Sequence, residues 1–74
     1  MPKLQIASGK EAIRKFEKLG YRTIRQKGSH IRLWHYFDKS KKPLTVPNYK
    51  IIDRSLLRKI IRDAGISVEE FNNL

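Results

Sequence analysis

Residues 21–37 read YRTIRQKGSHIRLWHYF, and this stretch decides the fold. Both of its halves are rich in β-branched and aromatic residues, which favour strands. Lys27-Gly28 between the halves is suited to a tight turn. The stretch therefore predicts a β-hairpin with strands over residues 21–26 and 29–37.

A helical pattern precedes the hairpin. Ser8 followed three residues later by Glu11 is typical of a capping box at a helix N-terminus. Apolar residues then recur at helical spacing until Gly20, which can end a helix. The pattern predicts a helix over residues 9–19.

Three further elements follow the hairpin. A short third strand over residues 44–47 ends at Pro47, which cannot donate a ladder hydrogen bond. Asp53 can cap a second helix, with one apolar stripe, over residues 54–64. A second capping-box pattern predicts a short helix over residues 68–72.

The predicted order is α-β-β-β-α with a short C-terminal helical tail. Helices at both ends of an antiparallel meander are typical of an α+β fold. We expect one domain spanning residues 1–74, with a three-stranded antiparallel sheet, both helices on one face and the other face open to solvent.

Alternate residues of the second strand point to opposite faces of this sheet. On the helix side we expect Ile31, Leu33 and Phe37. On the open side we expect a histidine, an arginine and two aromatic residues, namely His30, Arg32, Trp34 and Tyr36. Unpaired RNA bases can stack on such rings while cations contact phosphates. Alternatively, Trp34 and Tyr36 are core residues or are covered by a partner protein, and His35 is expected to be structural.

The charge favours a polyanionic partner. Seventeen Lys and Arg residues against seven Asp and Glu residues give a net charge of +10, which attracts nucleic acid or an acidic protein. Membrane binding is not expected, because the basic second helix uses its apolar side for the core. The absence of cysteine, of a signal-peptide pattern and of a long apolar run predicts a soluble cytoplasmic protein.

Two more groups of cations could contact phosphates. The first, in the loop before the third strand, comprises Lys39, Lys41 and Lys42. The second lies opposite the apolar stripe of the second helix and includes Arg54 and Arg58. A charged outer face is also what any surface helix needs, so these groups indicate binding and not catalysis.

Several classes of catalytic site are not expected. The acidic residues are scattered over helix surfaces, a loop and the tail, so no magnesium cluster is predicted. Two histidines of opposite parity on one strand would not share a zinc ion. No nucleophile elbow is present for a serine triad. We therefore expect no metal and no other cofactor.

RNA cleavage by the ribose 2′-OH needs few protein groups, because the substrate carries its own nucleophile. A histidine can transfer the proton, and a cation can stabilise the charged transition state. His30 has a suitable position, since Gly28-Ser29 before it lets a substrate backbone approach. Taken alone, however, a histidine at the start of a strand is ordinary.

Five short stretches, in order and spread over nearly the whole chain, carry a family resemblance. They are Ser8-Gly9-Lys10-Glu11, Leu19-Gly20-Tyr21, Gln26-Lys27-Gly28-Ser29-His30, Thr45-Val46-Pro47 and residues 56–67. With these the chain resembles the HicA toxins, small mRNA interferases of bacterial and archaeal toxin–antitoxin pairs. The resemblance implies a fold like the double-stranded-RNA-binding domain, with His30 as the catalytic residue. It also implies a HicB-type antitoxin that covers His30 and the basic face. Around His30 we expect Lys27, Gly28 and Ser29 to contact RNA.

The sequence departs from the family pattern after the third strand. Many relatives place a histidine shortly after the Val-Pro pair, whereas this chain has Asn48-Tyr49. The second catalytic group is therefore left open between Lys27, Arg32 and Tyr49.

Three functions compete at this point. The preferred one is an endoribonuclease that cuts mRNA without a metal. A non-catalytic module that binds double-stranded RNA would use the same fold and charge. A protein-interaction module would present its basic face to an acidic partner.

Overall fold

The computed structural model describes residues 3–74, so Met1 and Pro2 of the predicted 1–74 domain lie outside the described residues. The predicted α+β fold with an open three-stranded antiparallel sheet is confirmed. Its elements are α1 (Gly9–Leu19), β1 (Tyr21–Lys27), β2 (His30–His35), β3 (Leu44–Pro47), α2 (Arg54–Asp63) and α3 (Val68–Asn72).

The first helix begins and ends where its sequence signals lie. Ser8 Oγ accepts a hydrogen bond from Glu11 N, and the Glu11 carboxylate accepts one from Ser8 N, which completes the predicted capping box. Gly20 ends α1 with a φ of 112°, a left-handed conformation that favours glycine. At the start of α1, a Cβ on Gly9 would lie only 2.9 Å from Asn48 Cα. Glycine therefore lets α1 pack directly on the backbone that follows β3.

The sheet has the order β1-β2-β3, and β2 is its central strand. The hairpin register pairs Lys27 with His30 across a turn in which Gly28 has a φ of 60°. A bulge between Thr23 and Arg25 interrupts the ladder, so that the side-chain alternation of β1 changes face at this point.

One face of the sheet carries the core. Side chains from β2 and β3 pack there with both long helices, and the cluster includes Phe16, Leu33, Val46 and Leu57. Asp53 caps α2 by accepting hydrogen bonds from Ser55 N and Leu56 N, as its position in the sequence predicts. The short helix α3 has its own capping box and buries Phe71 against the body.

The prediction for the end of β2 was wrong. The strand was expected to reach residue 37 with Phe37 on the core face, but it ends at His35 and Phe37 is 78% exposed. Tyr36 N still donates to Gly20 O in the register of β1 with β2, but the backbone N–H groups of Phe37 and Asp38 donate to His35 Nδ1. The chain therefore turns away from the sheet, and the period of two no longer applies.

Candidate active site

His30 lies at the first position of the central strand, with a neighbour on each side. Lys27 of β1 and Pro47 of β3 are its register partners. Side chains directly opposite each other on an antiparallel pair have Cβ atoms about 5 Å apart. The His30 side chain is exposed on the open face of the sheet, as predicted for its parity.

A shallow cavity of about 280 Å³ surrounds this position; we refer to it as the His30 cavity. Its lining consists of Arg25, Lys27, His30, Arg32 and Thr45. Three of these residues are bases and none is an acid, so the cavity favours an anionic ligand such as a phosphate.

Arg32 is held in place across the sheet. Its Nη1 atom donates a hydrogen bond to Thr45 Oγ1 at 2.8 Å, and the side chain is half-buried. A guanidinium fixed in this way loses little conformational freedom when it binds an anion, which is what stabilisation of a charged transition state requires.

The two histidines of β2 differ in their hydrogen bonding. His35 Nε2 lies 2.8 Å from Leu19 O, and His35 Nδ1 accepts from Phe37 N and Asp38 N. These partners assign the proton to Nε2 and leave His35 a structural residue, as predicted. Within residues 3–74 the imidazole of His30 makes no hydrogen bond, so both of its nitrogens are available to a ligand.

The turn before His30 also contacts the segment after β3. Ser29 O accepts a hydrogen bond from Asn48 N at 2.6 Å, and Ser29 is half-buried. A Cβ added to Gly28 would meet no heavy atom within 4 Å. The open space beside Gly28 is compatible with the close approach of a substrate backbone, and its positive φ gives a second reason for glycine there.

The other residues assigned to RNA from the sequence lie elsewhere. Trp34, Tyr36, Lys39 and Lys41 line a separate cavity at the far end of the same sheet face. Lys42 is exposed and lines neither cavity.

The bases of α2 are not brought to His30. Arg58 lines a groove that α2 forms with the segment leading into α3, together with Lys59 and Arg62. Arg54 is exposed on the first turn of the same helix. Neither residue lines the His30 cavity.

Metal-binding clusters and membrane-spanning helices are both absent from residues 3–74. This range contains no group of three or more His, Cys, Asp or Glu side chains that could hold a metal ion. None of its helices combines the length and the apolar character needed to cross a bilayer.

The sequence interpretation missed two residues of the His30 cavity. Arg25 shares the parity of Lys27 on β1, so the alternation rule applied to β1 would have identified it. Thr45 could not be identified in this way, because its place beside Arg32 depends on the register between β2 and β3.

The family model described as the HicA toxin of bacterial toxin–antitoxin systems matches residues 9–66. This range includes every residue of the His30 cavity. No curated protein gives a match.

Proposed function

Because this chain belongs to the HicA family of toxins from bacterial toxin–antitoxin systems, we propose that it is a metal-independent endoribonuclease that cuts mRNA and so inhibits translation. Membership of the family makes the chain a toxin with a cognate antitoxin. The cleavage chemistry and the role of His30 are our proposal, and they rest on the His30 cavity.

The proposed reaction is attack of a ribose 2′-oxygen on the adjacent phosphate. The O2′–P bond forms as the P–O5′ bond breaks, giving a 2′,3′-cyclic phosphate and a 5′-hydroxyl. His30 acts as general acid or base, taking the 2′-OH proton or protonating the leaving 5′-oxygen. Arg32 and the other bases of the cavity stabilise the negative charge that develops on the phosphate.

One observation supports this assignment more than any other. His30 is exposed, its ring has no hydrogen-bond partner among residues 3–74, and three bases line the same cavity. Proton transfer requires an imidazole that can reach the substrate, and His35 does not meet this condition because both of its nitrogens already have protein partners.

The geometry also ranks the candidates for a second catalytic group. Lys27 and Arg32 line the His30 cavity, whereas Tyr49 does not. An arginine stays protonated and acts as a charge stabiliser. Lys27, which lies opposite His30, is therefore our proposal for the group that shares proton transfer with it.

The antitoxin is proposed to be of the HicB type and to cover His30 together with the basic open face. A protein that covers this face must provide acidic groups for Arg25, Lys27 and Arg32, because buried charges without partners are unfavourable. An antitoxin bound there would exclude RNA from the cavity and so inhibit the toxin.

The proposal is tested by RNA cleavage in EDTA. We expect the wild-type protein to cut RNA and to leave 2′,3′-cyclic phosphate ends. His30→Ala should be slower by about 10²- to 10⁴-fold, because a general acid–base group has been removed. Lys18→Ala, which removes an exposed base at the end of α1, is the control for loss of charge.

Two outcomes would contradict the proposal. Equal cleavage by the wild type and His30→Ala would mean that His30 is not catalytic. Tight, salt-sensitive RNA binding without any cleavage would favour the alternative function, a non-catalytic module that binds double-stranded RNA. A substrate with a single 2′-deoxynucleotide at the cut site should resist cleavage, which tests the identity of the nucleophile.

A further inference from the structure

A second cavity lies on the open sheet face, at the end away from His30. It has a volume of about 620 Å³, which is within the range of about 300–1,000 Å³ typical of small-ligand sites. We call it the Trp34 pocket, and its lining includes Arg22, Ile24, Trp34, Tyr36, Asp38 and Lys39.

The apolar side chains of the Trp34 pocket are unusually exposed. Trp34 is 55% exposed, Tyr36 is 74% exposed and Ile24 is 48% exposed. The bulge in β1 makes Ile24 the extra residue of the ladder and pairs Arg22 with Trp34. A large indole ring thus lies beside an arginine and an aliphatic side chain, with its surface open to a ligand.

Cations surround this apolar surface. Arg22 Nη1 is held by Glu17 O at 3.0 Å and by Tyr21 O at 2.6 Å, and Lys39 is exposed at the edge of the pocket. An aromatic surface next to a fixed guanidinium and an exposed lysine is suited to a nucleobase with its phosphate.

The lining of the Trp34 pocket contains one acid, Asp38, which can accept hydrogen bonds from a nucleobase. Asp38 Oδ1 accepts hydrogen bonds from Ser40 N and Ser40 Oγ, and these bonds lower the pKa of Asp38. Asp38 is therefore a carboxylate at neutral pH. A carboxylate accepts hydrogen bonds, and the polar edges of nucleobases carry amino or imino donors.

A basic track connects the pocket with the His30 cavity. Three register pairs follow one another along the open face, Lys27 with His30, Arg25 with Arg32 and Arg22 with Trp34. Trp34 lies four residues after His30 on one strand, which corresponds to about 13 Å. Stacked nucleotides advance about 3.4 Å each, so about four stacked nucleotides, or fewer extended ones, span this distance.

We propose that the Trp34 pocket binds an unpaired base of single-stranded RNA, about two to four nucleotides from the phosphate at His30. This inference rests on the proposed function, and it specifies the substrate as single-stranded. In an A-form duplex the bases are stacked and paired inside the helix, where Trp34 cannot reach them. An unpaired base can leave the stack and lie on the indole ring while its phosphates follow the basic track.

Trp34 provides a direct test, because it is the only tryptophan in the chain. The probe is a short single-stranded RNA oligonucleotide added to the His30→Ala protein, and the readout is tryptophan fluorescence. We expect the single strand to quench the emission by stacking and a duplex of the same sequence to leave it nearly unchanged. Equal quenching by both, or none by either, would overturn the inference.

Removal of single bases locates the contact along the RNA. In oligonucleotides with one abasic site, we expect binding to weaken only when the missing base lies about two to four nucleotides from the cut position. An effect of similar size at every position, or at none, would contradict a base-specific pocket.

Variants of the protein complete the test. Trp34→Ala should weaken binding of the intact oligonucleotide by about 5- to 150-fold, and Trp34→Phe should retain most of the affinity because it keeps an aromatic ring. Ile51→Ala is the control, since Ile51 is exposed and does not line the pocket. Circular dichroism of each variant establishes that it is folded.

The results separate this inference from the proposed function. If the wild type does not cleave RNA but single strands quench Trp34, the endoribonuclease proposal fails and the pocket stands. The wild type cleaving RNA would support the endoribonuclease proposal. If, in that case, Trp34→Ala binds RNA as tightly as the protein with Trp34, and abasic oligonucleotides bind as tightly as intact ones, only the pocket inference fails. The inference would also be overturned if the antitoxin changed the fluorescence of Trp34 and RNA did not. That result would assign Trp34 to a protein contact.

Discussion

Neighbouring polar groups give the two histidines of β2 different properties, although they lie only five residues apart. His35 connects the end of α1 to the turn after β2 through Leu19 O, Phe37 N and Asp38 N. The His30 side chain is exposed among bases on the open face of the sheet. We therefore expect substitution of His35 to affect stability and substitution of His30 to affect cleavage.

Chemical unfolding distinguishes the two residues. His35→Ala leaves the three backbone groups without their partner, and we expect the free energy of unfolding to fall by about 1–3 kcal/mol. His30→Ala should change the free energy of unfolding by less than about 0.5 kcal/mol, because an exposed side chain without protein partners is replaced. Similar losses in both variants, measured by urea denaturation, would contradict this distinction.

Arg32 and Thr45 provide a second test at the scale of single residues. Arg32→Ala should slow RNA cleavage by about 10²-fold, since it removes a fixed donor to the transition state. Thr45→Val keeps the side-chain volume but loses the hydrogen bond to Arg32, and we expect a loss of about 5-fold. Thr23→Val, at an exposed position of β1 outside the cavity, is the matched control. A Thr45→Val enzyme as active as the wild type would show that this bond does not position Arg32 for catalysis.

At the scale of elements, the caps determine where the helices begin. Ser8 with Glu11 and Ser67 with Glu70 form complete capping boxes, and the Asp53 side chain accepts two backbone N–H groups at the start of α2. Each cap provides acceptors for N–H groups that have no partner inside the helix. The start of α1 is also joined to the segment after β3, because Gly9 N donates to Tyr49 O.

The capping box of α1 predicts a pH-dependent contribution to stability. Hydrogen bonds with the backbone N–H and the side chain of Ser8 lower the pKa of Glu11 below its ordinary value of 4.5. The folded state therefore favours the carboxylate. The resulting stabilisation is fully present above pH 4.5, and it is lost as the pH falls through the lower pKa of the folded state.

Glu11→Gln tests this contribution. The variant should be less stable than the wild type at neutral pH, and the difference should vanish in acid, well below the ordinary pKa of 4.5. Urea denaturation at both pH values measures it, with Glu17→Gln on the same helix as the matched control. A difference between wild type and Glu11→Gln that persists unchanged in acid would contradict the role of the carboxylate.

At the scale of the whole molecule, two separate basic surfaces could contact RNA. The open sheet face carries the bases of the His30 cavity and Arg22 of the Trp34 pocket. A second basic surface lies on α2 and includes Arg54 and Arg58. The charged side chains among the last twelve residues are all acidic, namely Asp63, Glu69 and Glu70. RNA bound to the sheet face would need a further turn or a second segment to reach α2.

The salt dependence of RNA binding measures the contribution of each surface. On a single strand, each neutralised phosphate contributes about 0.7 to the slope of log affinity against log salt. Two double variants are made in the His30→Ala background: Arg25→Ala with Lys27→Ala on the sheet face, and Arg54→Ala with Arg58→Ala on α2. We expect each double variant to reduce the slope of log affinity against log salt by about 1.4. Lys3→Ala/Lys18→Ala, which removes two exposed bases outside the cavities, is the control. An unchanged slope for the α2 variant would show that α2 does not contact RNA.

Much of the fold was determined by local sequence signals. These signals are the capping boxes, the glycines Gly20 and Gly28, and the period of two along β2 that gives Ile31 and Leu33 the same face. Each acts within a few residues of its own position, so the order of the elements could be predicted without tertiary information. The same alternation placed His30, Arg32 and Trp34 on the open face. The family resemblance, not residue physics alone, made His30 the first candidate for catalysis.

Only the tertiary structure decided which residues meet. The β1 bulge places Tyr21 in the core and Arg22 beside Trp34, whereas an unbroken period from Lys27 would have reversed these two positions. Thr45 reaches Arg32 through the register of β2 with β3, and His35 Nε2 meets Leu19 O at the end of α1, sixteen residues away in the sequence. These contacts depend on strand register and on packing between segments distant in sequence, which local patterns do not encode.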